Sequence, residues 1–466
     1  MSTDDRRVSR RARGYRRAVV ATIGVLAIAT TGLGIAGAFR APHLDDAGVA
    51  AATALERPGQ RLVLQADQAI EPVDAADVTI APDVPVEVSS DGRAITIRFE
   101  GMLRARTEYS VAVAVTGVAT GVTGTLDYAF TTPDLDVAVL VRDPQGPDEV
   151  RGREVSGDET SVLFSADRIQ EFAVSRDGVA AVLLDESGPD GTLVLAPTGE
   201  QLTQQIALPG PGRLQRLRAS PTTGFLGVLF TSSDPAAPDA VVSQLLLFDP
   251  LDASGIVRPL AGLDGEPASV LDWRFVPGTP YLVAQTFDES LLLVDTSTPE
   301  APPVPLGEHA ELRGFLPGSP TLVVADPLSG STIDLTSGET TTLELPDDGL
   351  DPAAYPGEIV TLGLDRYVEV ASRPAPGEEF VLDYEVLLVT PDGADVVYDP
   401  APGIPLRDVC LSPNAQYLAV ELQDPQGEPD GYPNVSGRAG STTYFVDLAT
   451  GRADRAIAGF AASWCD

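Results

Sequence analysis

Apolar and polar residues alternate with a period of two along much of this chain, the pattern of strands buried on one face. Ile95, Ile97 and Phe99 alternate with Ala94, Thr96 and Arg98. Tyr109, Val111, Val113 and Val115 alternate with Ser110, Ala112 and Ala114, and Asp91-Gly92 supplies a hairpin turn before the first run. Beyond Pro133 the pattern becomes a unit that recurs every roughly 40 to 55 residues. An apolar strand enters a tight turn, a second apolar strand follows, a third ends in Asp or Thr-Gly, and a fourth is short.

The first turns are Ser175-Arg176-Asp177-Gly178, Ser220-Pro221, Val276-Pro277-Gly278, Leu316-Pro317-Gly318, Leu364-Asp365 and Ser412-Pro413-Asn414. They mark six whole units. Val137 to Val141, Glu149 to Val155 and Ser161 to Phe164 remain as three strands that lack a first. The C-terminal Ala461-Ala462-Ser463-Trp464-Cys465 is expected to supply it, which makes seven units and closes a ring. The loop Asp143 to Asp148 reads like Asp424 to Asp430, so both are placed between the second and third strands of neighbouring units.

These residues carry two resemblances. Ser-Pro-Asp-Gly-like turns followed by strands such as Val446-Asp447-Leu448-Ala449-Thr450-Gly451 resemble TolB-type and WD-like β-propellers. Leu103, then Thr107-Glu108-Tyr109 entering a strand, resembles the tyrosine corner of immunoglobulin-like sandwiches. With Phe130-Thr131-Thr132-Pro133 at its end, that segment is similar to SbsA-type bacterial Ig-like domains, which implies a spacer. The expected fold is all-β: a small Ig-like sandwich over 61–133 and a seven-bladed propeller over 134–466, after one transmembrane helix.

That helix is expected over 18–39, a run of 22 residues without a charge. At about 1.5 Å per residue it spans a hydrocarbon core of about 30 Å. Seven Arg lie in the basic tail 1–17, which is therefore cytoplasmic, and the bulk of the chain is extracytoplasmic. Cleavage near Ala38, at Ala36-Gly37-Ala38, is the alternative and would release a secreted protein. Residues 40–60, with Pro42 and an Ala-rich stretch, read as a linker.

Charge and composition narrow the function. Formal net charge is −37, and all the basic residues are Arg, a bias expected of a high-GC, actinobacterial-type genome. So acidic a chain repels phosphate backbones, and nucleic-acid binding is excluded. There are two His, His43 and His309, the latter read as a surface turn residue with no visible nucleophile or orienting partner. No metal-ligand spacing and no phosphate loop occur, so no catalytic residue, metal or cofactor is expected. Cys410 and Cys465, the two cysteines, read as a disulfide of an exported protein or as two buried thiols; bonding requires a slip or frayed end at the closing strand.

What remains is a face of long loops. The candidate binding residues are Asp143 and Asp148, Arg373 and Glu378, and Asp424, Asp430, Tyr432 and Arg438. The expected function is non-catalytic binding or scaffolding of a protein partner in the bacterial cell envelope. The alternative is a propeller-type enzyme, or a glycan-binding protein, acting on cell-wall glycan or peptide.

Overall fold

A computed structural model describes residues 19–26, 40–175, 177–185, 188–198, 203–252, 257–298, 300–377 and 381–465. The described residues divide into two compact units. One runs up to Ala54 and includes Gly59–Gly101 and Thr107–Thr132; the other comprises Leu55–Pro58, Met102–Arg106 and Pro133 onward. Residues 19–26 are helical. Among the described residues no helix is long and apolar enough to cross a membrane. The rest of the 18–39 run, with its candidate cleavage site, lies outside them, as does the basic tail 1–17.

The first unit pairs a four-stranded and a three-stranded antiparallel sheet. The alternation read from sequence is the burial pattern: Ile95, Ile97 and Phe99 are fully buried on Ala94–Phe99, and Tyr109 to Val115 point inward on Glu108–Thr116. Tyr109 stacks on Phe130, ring centroids 5.4 Å apart. The stretch 40–60 is not a plain linker. Leu44–Val49 forms an edge strand paired with Arg61–Ala66, and Thr53–Glu56 forms a helical turn. An edge strand with much of its surface exposed needs little apolar alternation, so LDDAGV carried little strand signal.

The second unit is a succession of meander sheets, the architecture of a β-propeller. Sheet 1 has three strands, Asp136–Val141, Asp148–Glu154 and Ser161–Ala166. Sheets 2 to 7 have four each and begin at Ile169–Ser175, Gly212–Ala219, Val270–Phe275, Glu311–Phe315, Tyr355–Thr361 and Leu406–Leu411. Second strands are buried almost end to end, as in Gly178–Leu184 and Leu226–Ser232. Each is covered on both faces by neighbouring sheets, so its sequence is continuously apolar and not alternating. Fourth strands such as Gln204–Gln205 and Arg258–Pro259 lie exposed at the rim, hence short and polar. The core is a series of apolar clusters between consecutive sheets, with Trp273 fully buried between sheets 3 and 4.

The circuit closes where the chain ends. Leu140 N–H donates to Phe460 O (2.7 Å) and Phe460 N–H to Leu140 O (3.0 Å), forming a bridge on the free edge of sheet 1. Gly459 makes this approach possible. It adopts φ +129°, and a Cβ there would lie 2.8 Å from Leu140 O. The expected closing strand is nevertheless irregular. Ala461 has φ +51°, and Ala462 to Cys465 form a turn, with Cys465 N–H bonded to Ala462 O at 2.9 Å. The indole N–H of Trp464 donates to Asp136 O at 3.0 Å, on the turn and not on an inner strand.

That turn sets the register for the cross-link. Cys410, on the first strand of sheet 7, is bonded to Cys465, with Cα atoms 5.1 Å apart and a sequence separation of 55. A loop of that length should make the bond worth about 2–4 kcal/mol. Cys465→Ser is expected to lower the unfolding free energy from urea denaturation by that amount, read against unreduced wild type, and peptide mapping without reductant should recover the 410–465 pair.

Candidate functional site

The site develops around Arg142, the residue that follows the first strand of sheet 1. Its side chain is only 5% exposed, so its donors have to be met by protein. Nε and Nη2 donate to Ile169 O at 3.2 and 2.9 Å, and Nη2 also donates to Gln170 O at 3.0 Å. Nη1 donates to Val435 O at 2.6 Å and to the Asp430 carboxylate. The guanidinium carbon lies 3.5 Å over the ring of Tyr432 and 5.1 Å over that of Phe460, an arrangement of charge on π faces that desolvation strengthens.

Around this cation the loop from sheet 7 is tied down. Tyr432 O–H donates to Asp148 Oδ2 at 2.5 Å, and Asp148 also accepts Ile169 N–H at 2.7 Å. Asp430 accepts Gly437 N–H at 2.8 Å and Tyr432 N–H at 3.2 Å. Burial pushes the Asp148 carboxyl up, against its hydrogen bonds and the Arg142 charge. Burial and then Asp148 hold the Tyr432 phenol well above the usual tyrosine range, so it remains a donor. Further along, Gln215 Nε2 donates to Asn434 Oδ1 (2.7 Å) and Arg407 Nε to Ser436 O (3.2 Å). The segment 430–438 thus contacts sheets 1, 2, 3 and 7. It crosses the turn after the first strand of sheet 1 and the first strands of sheets 2, 3 and 7 as a fixed cap.

The residues singled out in the sequence separate accordingly. Asp148, Asp430 and Tyr432 meet in one cluster around Arg142, Asp148 buried and the other two half-buried. Arg438 braces the same loop by donating to Gly427 O at 3.1 Å. Asp143 and Asp424 are exposed and accept the N–H groups of Gln145 and Gln426, both at 2.9 Å, as turn formers. Arg373 pairs with Glu385 on its own sheet, away from this cluster. Glu378 lies outside the described residues. Sequence reasoning passed over Arg142 because a single Arg beside a turn carries no signal of the four segments that meet it.

First strands also carry charge along their length. Arg218 pairs with Asp272 at 2.9 Å, and Arg216, at φ +54°, pairs with the same carboxylate. Burial would raise Asp272, but Arg218, Arg274 and Arg216 outweigh it and lower its pKa. Buried Glu171 accepts Leu217 N–H at 2.9 Å, and burial lifts its pKa to about 7. In sheet 7, fully buried Glu421 pairs with Arg407 and accepts Ala462 N–H at 2.7 Å, which fastens the closing turn. Burial, then the charges of Glu421 and Glu358, raise Asp408 to about 7.

His309 is not a surface turn residue lacking a partner. Its side chain is 14% exposed and Nδ1 lies 3.0 Å from Asp326 Oδ2. Gln285 Nε2 donates to His309 O at 2.7 Å, and His309 N–H to Glu289 O at 2.9 Å. It joins the second-to-third-strand turns of sheets 4 and 5. Among the described residues no group of three or more His, Cys, Asp or Glu has the geometry of a metal site.

Two outcomes follow from these charges. Arg142→Met leaves Asp430 and Asp148 buried without their cation, and is expected to cost about 3–5 kcal/mol. Hydrogen exchange should then show lost protection across 430–438 while the strands of sheet 4 stay protected. Asp408 is raised from the ordinary 3.8 to about 7 in the folded state, which therefore holds the proton more tightly than the unfolded chain. Its contribution is full below the unfolded value and is lost as pH rises towards about 7. Asp408→Asn should accordingly raise the Tm at pH 8 and flatten its fall between pH 5 and pH 8.

No family model matches this chain, and no curated protein does. Among solved structures it is similar to TolB from Acinetobacter baumannii, at 11% identity over 80% of this chain and 78% of that one, with a TM-score of 0.34. It is similar to an auxiliary nutrient binding protein from Bacteroides ovatus, at 10% identity over 78% and 92% of the two chains, TM-score 0.31. A putative 6-phosphogluconolactonase from Bacteroides fragilis is 14% identical over 71% and 96%, TM-score 0.40. Likeness at this level assigns neither an activity nor a ligand to the chain.

Proposed function

We propose that this chain is a membrane-anchored extracytoplasmic binding protein of a bacterial envelope. An Ig-like spacer carries a seven-bladed propeller that engages an envelope protein through the ring end bearing the 423–440 loop. The blade count is supported by the succession of sheets 1 to 7 and by the Leu140–Phe460 bridge at the edge where sheet 1 lacks a strand. The spacer is supported by its two stacked antiparallel sheets and by buried Tyr109. Anchoring through 18–39 is supported by the length of the uncharged run and the Arg before it; cleavage near Ala38 is its rival.

The observation that carries the binding reading is the fixed cap. A mobile insertion has no need of a buried guanidinium, a half-buried phenol and ties to four sheets. A surface held in one conformation loses less entropy when a partner docks, and preorganisation of this kind is what such ties supply. The enzymatic alternative has one observation in its favour. Asp408, raised to about 7 beside Glu421 and Glu358, is protonated enough at neutral pH to serve as a general acid on glycan or peptide.

The test is photo-crosslinking in living cells from Gln426, an exposed residue of the loop whose side chain takes no part in the cap. Capture of one dominant envelope protein is the expected result. Glycan-linked products would shift the reading to the cell-wall alternative, and absence of any product from folded protein would overturn the binding role.

A further inference from the structure

The ring end that carries the cap also presents three exposed apolar tips, on consecutive sheets. Val242, Phe287 and Leu328 sit in the turns between second and third strands of sheets 3, 4 and 5, and are 59%, 58% and 100% exposed. An antiparallel meander places these turns beside the starts of the first strands, the end that the 430–438 segment crosses. The tips are held and not free to fold back. Ser243 Oγ donates to Val270 O at 2.6 Å, joining the sheet 3 turn to the first strand of sheet 4. His309 joins the turns of sheets 4 and 5 through Glu289 O and Asp326, as described above.

Their surroundings are mainly acidic, with Arg313 paired to Glu311 at 2.9 Å. Segments 232–244, 260–270, 286–290, 307–311 and 326–330 contain nine Asp or Glu and no Arg. The carboxylates nearest the tips are stabilised in their charged form. Thr286 Oγ1 lowers the Asp288 pKa, and Ala310 N–H followed by His309 lowers that of Asp326. Apolar tips that protrude through a predominantly acidic surround gain nothing from water, and the surround repels polyanions.

We infer that this patch docks a protein segment in which Leu- or Phe-sized side chains are flanked by Arg or Lys. The inference rests on the binding reading above and names the chemistry of the partner. Charge complementarity selects that occupant. A second copy of the chain would bring another −37, and nucleic acid or an anionic lipid surface would bring phosphate against the same carboxylates. A basic segment supplies the missing sign, steers the encounter, and lets the tips bury their apolar surface.

The test uses the full chain in detergent and a fluorescein-labelled peptide in which Arg alternates with Leu and Phe. Matched peptides replace Arg by Glu, or Leu and Phe by Ser. Anisotropy should report binding of the first peptide alone, weakened at least tenfold by the double change Phe287→Ser and Leu328→Ser. Val396→Ser, an exposed apolar change on an outer strand of sheet 6, should leave it unaltered. Because both tips are exposed, an unchanged melting temperature is expected for every variant. Equal binding of the Arg-Ser peptide, or equal loss in the Val396→Ser control, would overturn the inference as mere charge attraction. If no peptide binds while Gln426 still captures an envelope protein, the inference falls and the binding reading stands; if both fail, both fall.

Discussion

A guanidinium taken out of water must find protein acceptors for its N–H groups, and at Arg142 those acceptors come from two stretches of chain far apart in sequence. Ile169 O and Gln170 O belong to sheet 2, Asp430 and Val435 O to the loop from sheet 7, and the Tyr432 ring covers the open face. The requirement is one of geometry as much as energy: five donors in a rigid plane are satisfied only when the first, second and last sheets stand in one arrangement. The cap over the ring end is a consequence of that arrangement, and so is the burial of Asp148.

The same seam explains where the other fastenings lie. A closed succession of sheets has one place where strands distant in sequence must meet, and there the chain combines several kinds of tie. Backbone bonds join Leu140 to Phe460, the disulfide joins Cys410 to Cys465, and the buried carboxylate of Glu421 holds Ala462 N–H. Gly437 belongs to this set, because a Cβ at that position would run into the ring of Phe460. Each tie holds the segment 459–465 against sheets 1 and 7.

One part of this end of the sheets is fixed by ties to its neighbours, and another part displays exposed apolar side chains. The 430–438 segment spends its side chains on the scaffold, whereas the turns at Val242, Phe287 and Leu328 are held by neighbouring groups such as Ser243, Gln285 and His309 and leave their apolar tips exposed. The long loop, which looks like the natural binding element, serves as the rigid floor. The short turns carry the exposed apolar groups.

The sequence by itself determined the all-β class, the position of every first turn from Ser175 to Asn414, and the strand set of sheet 1, because each depends on local periodicity and turn chemistry. It left the two cysteines open between a disulfide and two buried thiols, and the structure bonds Cys410 to Cys465. Tertiary structure alone decided the rest. Leu44–Val49 became a strand through its neighbour Arg61–Ala66, despite a weak pattern of its own. Asp148, Asp430 and Tyr432 came together because Arg142, nearly 290 residues before the loop it holds, supplies the charge they surround. His309 acquired Asp326 from the next sheet. Such pairings span separations that no periodicity encodes, and only the packing of one sheet against the next brings them within hydrogen-bond reach.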